Sequence, residues 1–313
     1  MSLESQDSRD ESHQSLRFFT RKLQRHPIFR AWKRPLSAAK SSLPSVWRLA
    51  TQRFRVLPSA VIVGAQKAGT TQLYAYLIKH PRCFSAAEKE VDYFSKHPER
   101  TLEWYRSRFP LRYRVAARQG HALEASPSYM AMPRALRRMQ AVLPEARIIV
   151  VLRDPVSRTF SHYQHRKTRR LENRSFADVI DDELRQTDFP PQRGVALGPH
   201  AKPMMKCLGR SYYALHIELL FELYPRDRVL ILDSADLFAD TNATCQRVFE
   251  FLGVESHDVQ PEKVYNRGYY EERIDPPVAE RLRQHYRPYD ELLAELVGRR
   301  FSWMTDAARA SAA

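Results

Sequence analysis

Residues 64–71 combine glycine, lysine and threonine at spacings that suit the binding of a phosphate group. An apolar run of strand length precedes Gly64, and the next apolar positions, Leu73 and Leu77, lie four residues apart. This pattern predicts a strand, a tight turn and a helix. The glycines let the backbone turn, so that its N–H groups can converge on an anion at the positive end of the helix. Lys67 adds a full positive charge within that turn.

The loop differs from the nucleotide-binding pattern GxxxxGK[ST] in the position of its lysine. Thr70 directly follows Gly69, and Lys67 stands two residues before that glycine. The sequence therefore predicts a phosphate loop that lacks the lysine position of ATPases. An ordinary glycine-containing turn with an exposed lysine is the alternative that this stretch alone leaves open.

Three carboxylates recur at every second position shortly after the predicted phosphate loop. Glu88, Glu90 and Asp92 alternate with other residues in a segment that we expect to be extended. Residues two apart point to the same side of an extended chain, so two or three carboxylates are predicted to share one side. An exposed charged loop is the alternative.

Four apolar runs of strand length must position these residues. The run 147–152, RIIVVL, is continuous and β-branched, which is typical of a parallel strand covered on both faces. Strands that alternate with helices predict an α/β fold with a central parallel sheet, which binds ligands at the carboxyl ends of its strands. The predicted strands are 60–63, 121–125, 147–152 and 228–233, and the predicted helices are 71–80, 101–109, one through 158–170, 176–185, 211–224, one ending at Gly253 and one through 278–286.

The chain is predicted to form one domain, because α/β folds of about 200–250 residues are common as single domains. We expect this domain at 57–303, between a leader at 1–56 and a tail at 304–313. Residues 187–209 are rich in proline and lack periodicity. A loop of this length in a compact domain is usually functional or mobile, so we expect a lid or gate over the substrate.

The net charge of +15 favours anionic partners. Residues 1–56 hold 12 Lys and Arg against 4 Asp and Glu, so a net charge of +8 lies in the leader. Basic amphipathic segments often lie on anionic membrane surfaces, and residues 15–56 are predicted to make such a peripheral contact. A partly disordered leader whose second helix packs on the domain is the alternative.

The cysteines and the hydropathy of the sequence indicate in which cellular compartment the protein is expected. Cys83, Cys207 and Cys245 form no CxxC or Cys/His cluster, which argues against a zinc site or a disulfide framework and suits a reducing compartment. No run approaches 18 apolar residues, and the N-terminus lacks the apolar core of a signal peptide. We therefore expect a cytoplasmic protein that can rest at the inner membrane surface.

Six motifs, taken in order, resemble those of the sulfotransferase family: GAQKAGTT, EKEVDYFS, RIIVVLRDPVSRTFSHY, SYYALHIELLFELYP, NRGYY and VGRRFSW. Within that family they are most similar to the heparan sulfate branch and its bacterial relatives. The resemblance extends from Pro58 to Trp303. It implies a P-loop-like three-layer fold, with a central parallel sheet flanked by helices, and a sulfuryl donor, 3′-phosphoadenosine 5′-phosphosulfate (PAPS).

The resemblance implies that two anion sites hold PAPS. The first takes the 5′ phosphosulfate at the start of a helix, and the second takes the 3′-phosphate with a guanidinium and a hydroxyl, which together supply three donors. A later loop closes over the donor, with Arg267 where the family usually has lysine. The residues implied are Gln66, Lys67, Ala68, Gly69, Thr70 and Thr71 for the first site, Arg153 and Ser161 for the second, and Arg267, Gly268 and Tyr269 for the loop.

The resemblance also implies the catalytic groups. Glu90 aligns with the glutamate base of a Glu-Val-His-Phe-Phe string, and it would take the proton that the acceptor hydroxyl or amine loses. Lys67 would offset the charge that builds on the phosphate leaving group. No metal is needed for that chemistry. Asp92, which replaces the family histidine, is expected in the same pocket as Glu90.

The acceptor is implied to be a carbohydrate or a glycolipid. Lys89, Asp92, Tyr93 and Ser126 are the predicted acceptor contacts. Relatives that act on anionic polysaccharides often carry lysine where this chain has Ala125. A less charged sugar or a lipid-linked glycan is therefore the expected acceptor.

Two other functions are considered. A P-loop kinase or NTPase would use Asp154 or Asp233, which follow apolar strands as a magnesium-holding aspartate does. A non-enzymatic module that binds nucleic acid or another polyanion has support from charge alone, and about half of that charge lies in the leader. We expect a sulfotransferase that binds no nucleic acid.

Overall fold

A computed structural model of the chain describes residues 46–185, 207–260 and 272–305. The backbone divides into two compact units, residues 1–53 and residues 54–313. Several predictions fall outside the described residues: most of the leader, the greater part of the lid, the donor loop with Arg267, Gly268 and Tyr269, and the tail from residue 306. They stay predictions.

Of the first unit, residues 46–53 are described. Residues 46–50 are helical, and the side chains of Val46, Trp47 and Leu49 are exposed. No helix in the described ranges has the length and apolar character needed to cross a bilayer. The predicted contact of residues 15–56 with a membrane stays a prediction, as does the cytoplasmic location.

The second unit is built on one five-stranded sheet. Its strands run parallel in the order β2-β3-β1-β4-β5. This order confirms the predicted α/β fold with a central parallel sheet. The strands are β1 (Ala60–Gly64), β2 (Cys83–Ser85), β3 (His121–Ala125), β4 (Arg147–Leu152) and β5 (Val229–Asp233).

Helices cover the sheet and supply its crossover connections, which parallel strands require. All five residues of β1 are buried, and β4 is buried from Ile148 onward, as expected of central strands covered on both faces. The helices of the described residues are α1 (Thr70–Leu77), α2 (Leu102–Ser107), α3 (Arg112–Ala116), α4 (Pro133–Val142), α5 (Pro155–Thr168), α6 (Phe176–Arg185), α7 (Tyr213–Leu223), α8 (Ser234–Ala239), α9 (Thr241–Leu252) and α10 (Pro276–Val297).

Helix α1 ends at Leu77, three residues before the predicted end at His80. The N–H groups of Lys79 and His80 donate to carbonyls three residues earlier, at 3.0 and 3.1 Å, so the chain tightens into turns of the 3₁₀ type there. Pro81 disfavours helical geometry at His80, and the structure adapts before reaching that residue.

The segment that carries the three predicted carboxylates is not extended, so the prediction that they share one side is wrong. Glu90 and Asp92 have left-handed φ angles of 61° and 52°. This backbone lets the N–H of Glu90 donate to the carbonyl of Ala125 (3.0 Å) and the N–H of Asp92 donate to Oγ of Ser126 (3.0 Å). The turn buries Asp92 and leaves Glu88 and Glu90 exposed.

Candidate donor and transfer site

The predicted phosphate loop follows β1 and leads directly into α1. Lys67 has a left-handed φ of 75°, and Gly69, the residue that caps α1, has a φ of 95°. No side chain caps this helix, so the cap supplies no competing acceptor for the first N–H groups of α1. The positive end of the helix is thus presented to an anion.

Glycine at position 69 is required by packing as well as by φ. A Cβ atom there would lie 3.1 Å from Cδ2 of Leu237 and 3.2 Å from Cζ of Phe238 on α8. The side-chain oxygen of Gln66, earlier in the loop, is buried and has no hydrogen-bond partner in the described part of the chain. A buried acceptor of this kind is expected where a ligand supplies the partner.

Arg153 joins the two predicted anion sites. It follows β4, the neighbour of β1, and its Nη1 donates to the carbonyl oxygen of Lys67 at 3.1 Å. The hydroxyl of Tyr213 holds the backbone of Arg153 through its carbonyl oxygen at 2.9 Å. Adjacent parallel strands end at the same edge of the sheet, which is why residues 86 positions apart meet here.

Helix α5 carries Ser161, whose hydroxyl is predicted to bind the 3′-phosphate together with Arg153. Asp154 caps this helix, and its carboxylate accepts from the N–H groups of Val156 (3.2 Å) and Ser157 (3.0 Å). Ser161 lies in the second turn and is buried. The cap fixes the start of α5 directly after Arg153, so one predicted 3′-phosphate contact precedes the capped end of the helix and the other lies within the helix.

His165 on α5 is influenced by charges of both the phosphate loop and the predicted base, which was not predicted from the sequence. Partial burial lowers the pKa of its imidazole, the positive charges of Lys67 and Arg169 lower it further, and the charge of Glu90 opposes them. Lys67 and Glu90 therefore both act on one side chain. The signal was present in the sequence, because a residue four positions after Ser161 faces the same side of a helix.

Glu90, the predicted base, is exposed at the carboxyl end of the sheet. Its backbone is fixed by the hydrogen bond to Ala125 on β3, and 41% of its side chain is exposed. Nζ of Lys89, a predicted acceptor contact, lies 2.9 Å from Oε1 of Glu90. The carboxylate can therefore meet a substrate from solvent with Lys89 beside it.

Asp92, unlike Glu90, is buried in the protein, with 3% of its surface exposed. Its carboxylate accepts from Oγ of Ser128 at 2.6 Å and pairs with Nζ of Lys96 at 2.5 Å. Oγ of Ser95 donates to it at 3.2 Å. These bonds engage both carboxylate oxygens, so the geometry gives Asp92 the role of holding the turn that presents Glu90.

Ser126 and Glu124 form the buried support of this turn. Ser126 has no exposed surface, and its hydroxyl donates to Oε1 of Glu124 at 2.7 Å. Glu124 also accepts from the hydroxyls of Tyr129 (2.7 Å) and Tyr105. Burial raises the pKa of the Glu124 carboxyl, while these three donors oppose that rise. Ser126 thus supports the site from inside.

Tyr93, another predicted acceptor contact, lies at the edge of this network. Its ring stacks on Tyr105 with centroids 4.5 Å apart, and Trp104 lies on the same aromatic surface at 6.3 Å. Tyr93 is half-buried, so part of its side chain is accessible to solvent. Aromatic surfaces of this kind suit the apolar face of a sugar ring.

The two aspartates that would hold magnesium in a kinase are helix caps instead. Asp154 caps α5 as described above, and Asp233 caps α8 by accepting from the N–H of Ala235 at 2.9 Å. Asp233 also accepts from the N–H of Ser302 at 2.8 Å. Within residues 46–185, 207–260 and 272–305, no group of three or more His, Cys, Asp and Glu side chains could hold a metal ion.

A cavity of about 470 Å³ lies beside this site and does not include its residues. Its walls come from the start of α5, from α10 and from residues 300–304. Asp290 lies in it, and burial raises the pKa of that carboxyl to about 7, although Trp303 donates to it at 3.2 Å. The convergent anion-binding groups lie at the carboxyl ends of β1 and β4, so we place the candidate site there.

Comparisons with known proteins bear on the family and the fold of the chain. The family description "Sulfotransferase domain" matches residues 57–284. The human protein "Bifunctional heparan sulfate N-deacetylase/N-sulfotransferase 3" is 30% identical over 212 residues, which cover 64% of this chain and 23% of that protein. Human "Heparan sulfate glucosamine 3-O-sulfotransferase 6" is 28% identical over 276 residues, which cover 80% of this chain and 74% of that protein.

A solved structure supports the fold. The sulfotransferase from Alicyclobacillus acidocaldarius superimposes with a TM-score of 0.60 at 24% identity, covering 80% of this chain and all of that one. The fold is therefore the P-loop-like sulfotransferase fold that the resemblance implied. The family description covers well over half of the chain, so this chain belongs to the sulfotransferase family.

Proposed function

We propose that the chain transfers a sulfuryl group from PAPS to a hydroxyl or an amine of a carbohydrate or glycolipid acceptor. The observation that carries this proposal is the hydrogen bond from Arg153 to the carbonyl of Lys67. It brings two cationic groups, each at the end of a central strand, to the two sides of one site. A nucleotide with phosphates at both its 3′ and 5′ positions matches two such groups.

The residues fit this donor. The uncapped start of α1, the left-handed backbone at Lys67 and Gly69, and the unpartnered oxygen of Gln66 form one side. Arg153 and Ser161 form the other. When bound, the donor supplies the sulfuryl group and a phosphate leaving group.

The residues of the chain have distinct roles in the proposed transfer. Glu90 accepts the proton of the acceptor hydroxyl or amine as the acceptor oxygen or nitrogen forms its bond to sulfur. The bond between sulfur and the phosphate oxygen breaks in the same step. Lys67 and the N–H groups at the start of α1 stabilise the negative charge that this phosphate gains.

Binding of adenosine 3′,5′-bisphosphate without magnesium tests the donor assignment. At about one hundred times its dissociation constant the nucleotide stabilises the fold by about 2.7 kcal/mol, which raises the melting temperature by about 5–10 °C. Adenosine 5′-monophosphate, the control, should raise it less. Stabilisation by Mg-ATP alone would overturn the proposal and favour the kinase alternative.

The acceptor class rests on the names of the two relatives and on the exposed surface around Glu90, Lys89 and Tyr93. Ala125 lies in β3 and is buried, and its carbonyl oxygen accepts a hydrogen bond from the N–H of Glu90. Transfer from labelled PAPS to a panel of neutral, acidic and lipid-linked glycans tests the class. Labelling of peptides or small phenols, with no glycan labelled, would contradict it.

A further inference from the structure

Two arginines and a histidine, on α5 and on the segment 207–211 that Arg158 contacts, take no part in the proposed reaction. Arg158 and His162 lie one turn apart on α5, with 0% and 6% of their surfaces exposed. Arg210 lies in the segment 207–211, which Arg158 contacts, and its charge acts on His162. We call these three side chains, of which the two arginines carry the positive charge, the cationic cluster.

Hydrogen bonds fix Arg158 against this segment. Its Nε donates to Oγ of Ser211 at 2.5 Å, and its Nη2 donates to the carbonyl of Cys207 and to Oγ1 of Thr159. The remaining nitrogen, Nη1, is buried and has no hydrogen-bond partner among the described residues. The guanidinium is thus held in one orientation, and its Nη1 group remains available to a hydrogen-bond acceptor.

The other members of the cluster share this property. Nε and Nη1 of Arg210 and Nδ1 of His162 are buried and have no hydrogen-bond partner in the parts of the chain that the structure describes. Leaving a buried donor unsatisfied is costly, more so for a charged group. Four unpartnered nitrogens in one cluster therefore indicate a missing partner.

The charges show that this partner is an anion. Burial, together with the charge of Arg158, lowers the pKa of Arg210 to about 10. Burial and the charges of Arg158 and Arg210 lower the pKa of His162 to about 2. The nearby carboxylate of Glu183 accepts from the N–H groups of Cys207 and Leu208, at 2.9 and 2.8 Å. Arg158 is buried, and Nε and Nη1 of Arg210 are buried, so an anion that contacts both guanidiniums would offset their mutual repulsion.

We propose that the cationic cluster is an oxyanion subsite, which takes a carboxylate, sulfate or phosphate group. Its place on α5 indicates the source, because His162 directly follows Ser161, the predicted 3′-phosphate contact, and His165 lies one turn further along the same helix. The charges of Lys67 and Glu90 act on His165, and the charge of Asp92 acts on Arg210. The occupant is an acidic group of the acceptor, and that identification rests on the proposed function. Relatives that act on anionic polysaccharides often carry lysine where this chain has Ala125. In this chain the subsite would supply the positive charge instead.

Inorganic sulfate tests the subsite without turnover. Melting is measured with saturating adenosine 3′,5′-bisphosphate, which fills the donor site, and with sulfate or chloride at equal ionic strength. At about ten times its dissociation constant, sulfate should raise the melting temperature of the unaltered chain by about 3–6 °C. Sulfate stabilises proteins in general by exclusion from their surfaces, so the difference between variants is the readout.

Arg210→Gln should lose this added rise, whereas Arg138→Gln, at an exposed position on α4, should keep it. Arg210→Lys keeps the positive charge but cannot donate two parallel hydrogen bonds to one oxyanion, so it should retain part of the rise in melting temperature. An equal rise in Arg210→Gln and the unaltered chain overturns the subsite. Where Arg210→Gln does not fold, the same comparison with Arg210→Lys and His162→Asn decides.

Acceptor kinetics distinguish the two sources of the oxyanion. Arg210→Gln should raise KM at least tenfold for an oligosaccharide with hexuronic acid residues and leave KM unchanged for its carboxyl-reduced counterpart. Equal effects on both overturn the acceptor as source and leave free sulfate or phosphate. If the bisphosphate fails to stabilise the chain, the proposed function fails, and the Arg210-dependent sulfate shift measured without nucleotide still decides on the subsite.

Discussion

Replacing Lys67 by methionine is expected to lower kcat by about 10²–10³-fold, the cost typical of removing one group that stabilises transition-state charge. Lys67 lies in the turn before α1, and its carbonyl is held by Arg153. Methionine has a side chain of similar length. Like lysine, it has to adopt the left-handed φ angle at this position, so the loop should keep its shape. The ammonium charge, which acts most strongly on the departing phosphate, is what the variant loses.

Single-turnover kinetics with saturating PAPS measure this effect separately from binding. Affinity for adenosine 3′,5′-bisphosphate should fall much less than the rate, because the backbone N–H groups and Arg153 remain. Lys79→Met, at an exposed position after α1, is the matched control and should keep full activity. A Lys67 variant with unchanged kcat would exclude the ammonium from the transfer step.

Glu90→Gln is expected to lower turnover by about 10²–10⁴-fold, the usual contribution of a general base, without weakening donor binding. The amide keeps the size of the side chain and can still accept a hydrogen bond from Lys89. It cannot take a proton from the acceptor. Burial does not hold the carboxylate in place, so the fold should be unaffected.

Glu88→Gln is the control for that variant, since Glu88 is exposed two residues away and pairs with Arg108 at 3.5 Å. Its turnover should stay at the level of the unaltered chain. Equal turnover in Glu90→Gln and the unaltered chain would remove Glu90 from the mechanism. Calorimetry with adenosine 3′,5′-bisphosphate checks that the donor site of both variants is intact.

Much of the fold could be predicted because its signals are local. The run 147–152 is continuous and apolar, and β4 has those bounds. The helix at 176–185 also has its predicted bounds. Strand β2 was missed because three residues at the edge of a sheet give too short a pattern to recognise. The meeting of Lys67 and Arg153 followed from topology, since both come directly after neighbouring central strands.

The support of the site could not be predicted, because it depends on backbone conformation and on distant partners. Left-handed φ angles at Glu90 and Asp92 have no signal in residue type, since neither residue is glycine. Ser126, expected to touch the acceptor, holds the buried Glu124 instead. The cluster around Arg158 was likewise hidden, because its partners lie about fifty positions later and unpartnered nitrogens leave no trace in the sequence.

Calorimetry on Arg153→Gln tests most directly whether one nucleotide is held at both ends. The unaltered chain should bind adenosine 3′,5′-bisphosphate about 10–100-fold more tightly than adenosine 5′-monophosphate, because a charge-assisted hydrogen bond contributes about 1.5–3 kcal/mol. Arg153→Gln should bind the two nucleotides with nearly equal affinity. The same preference for the bisphosphate in both proteins would contradict the account.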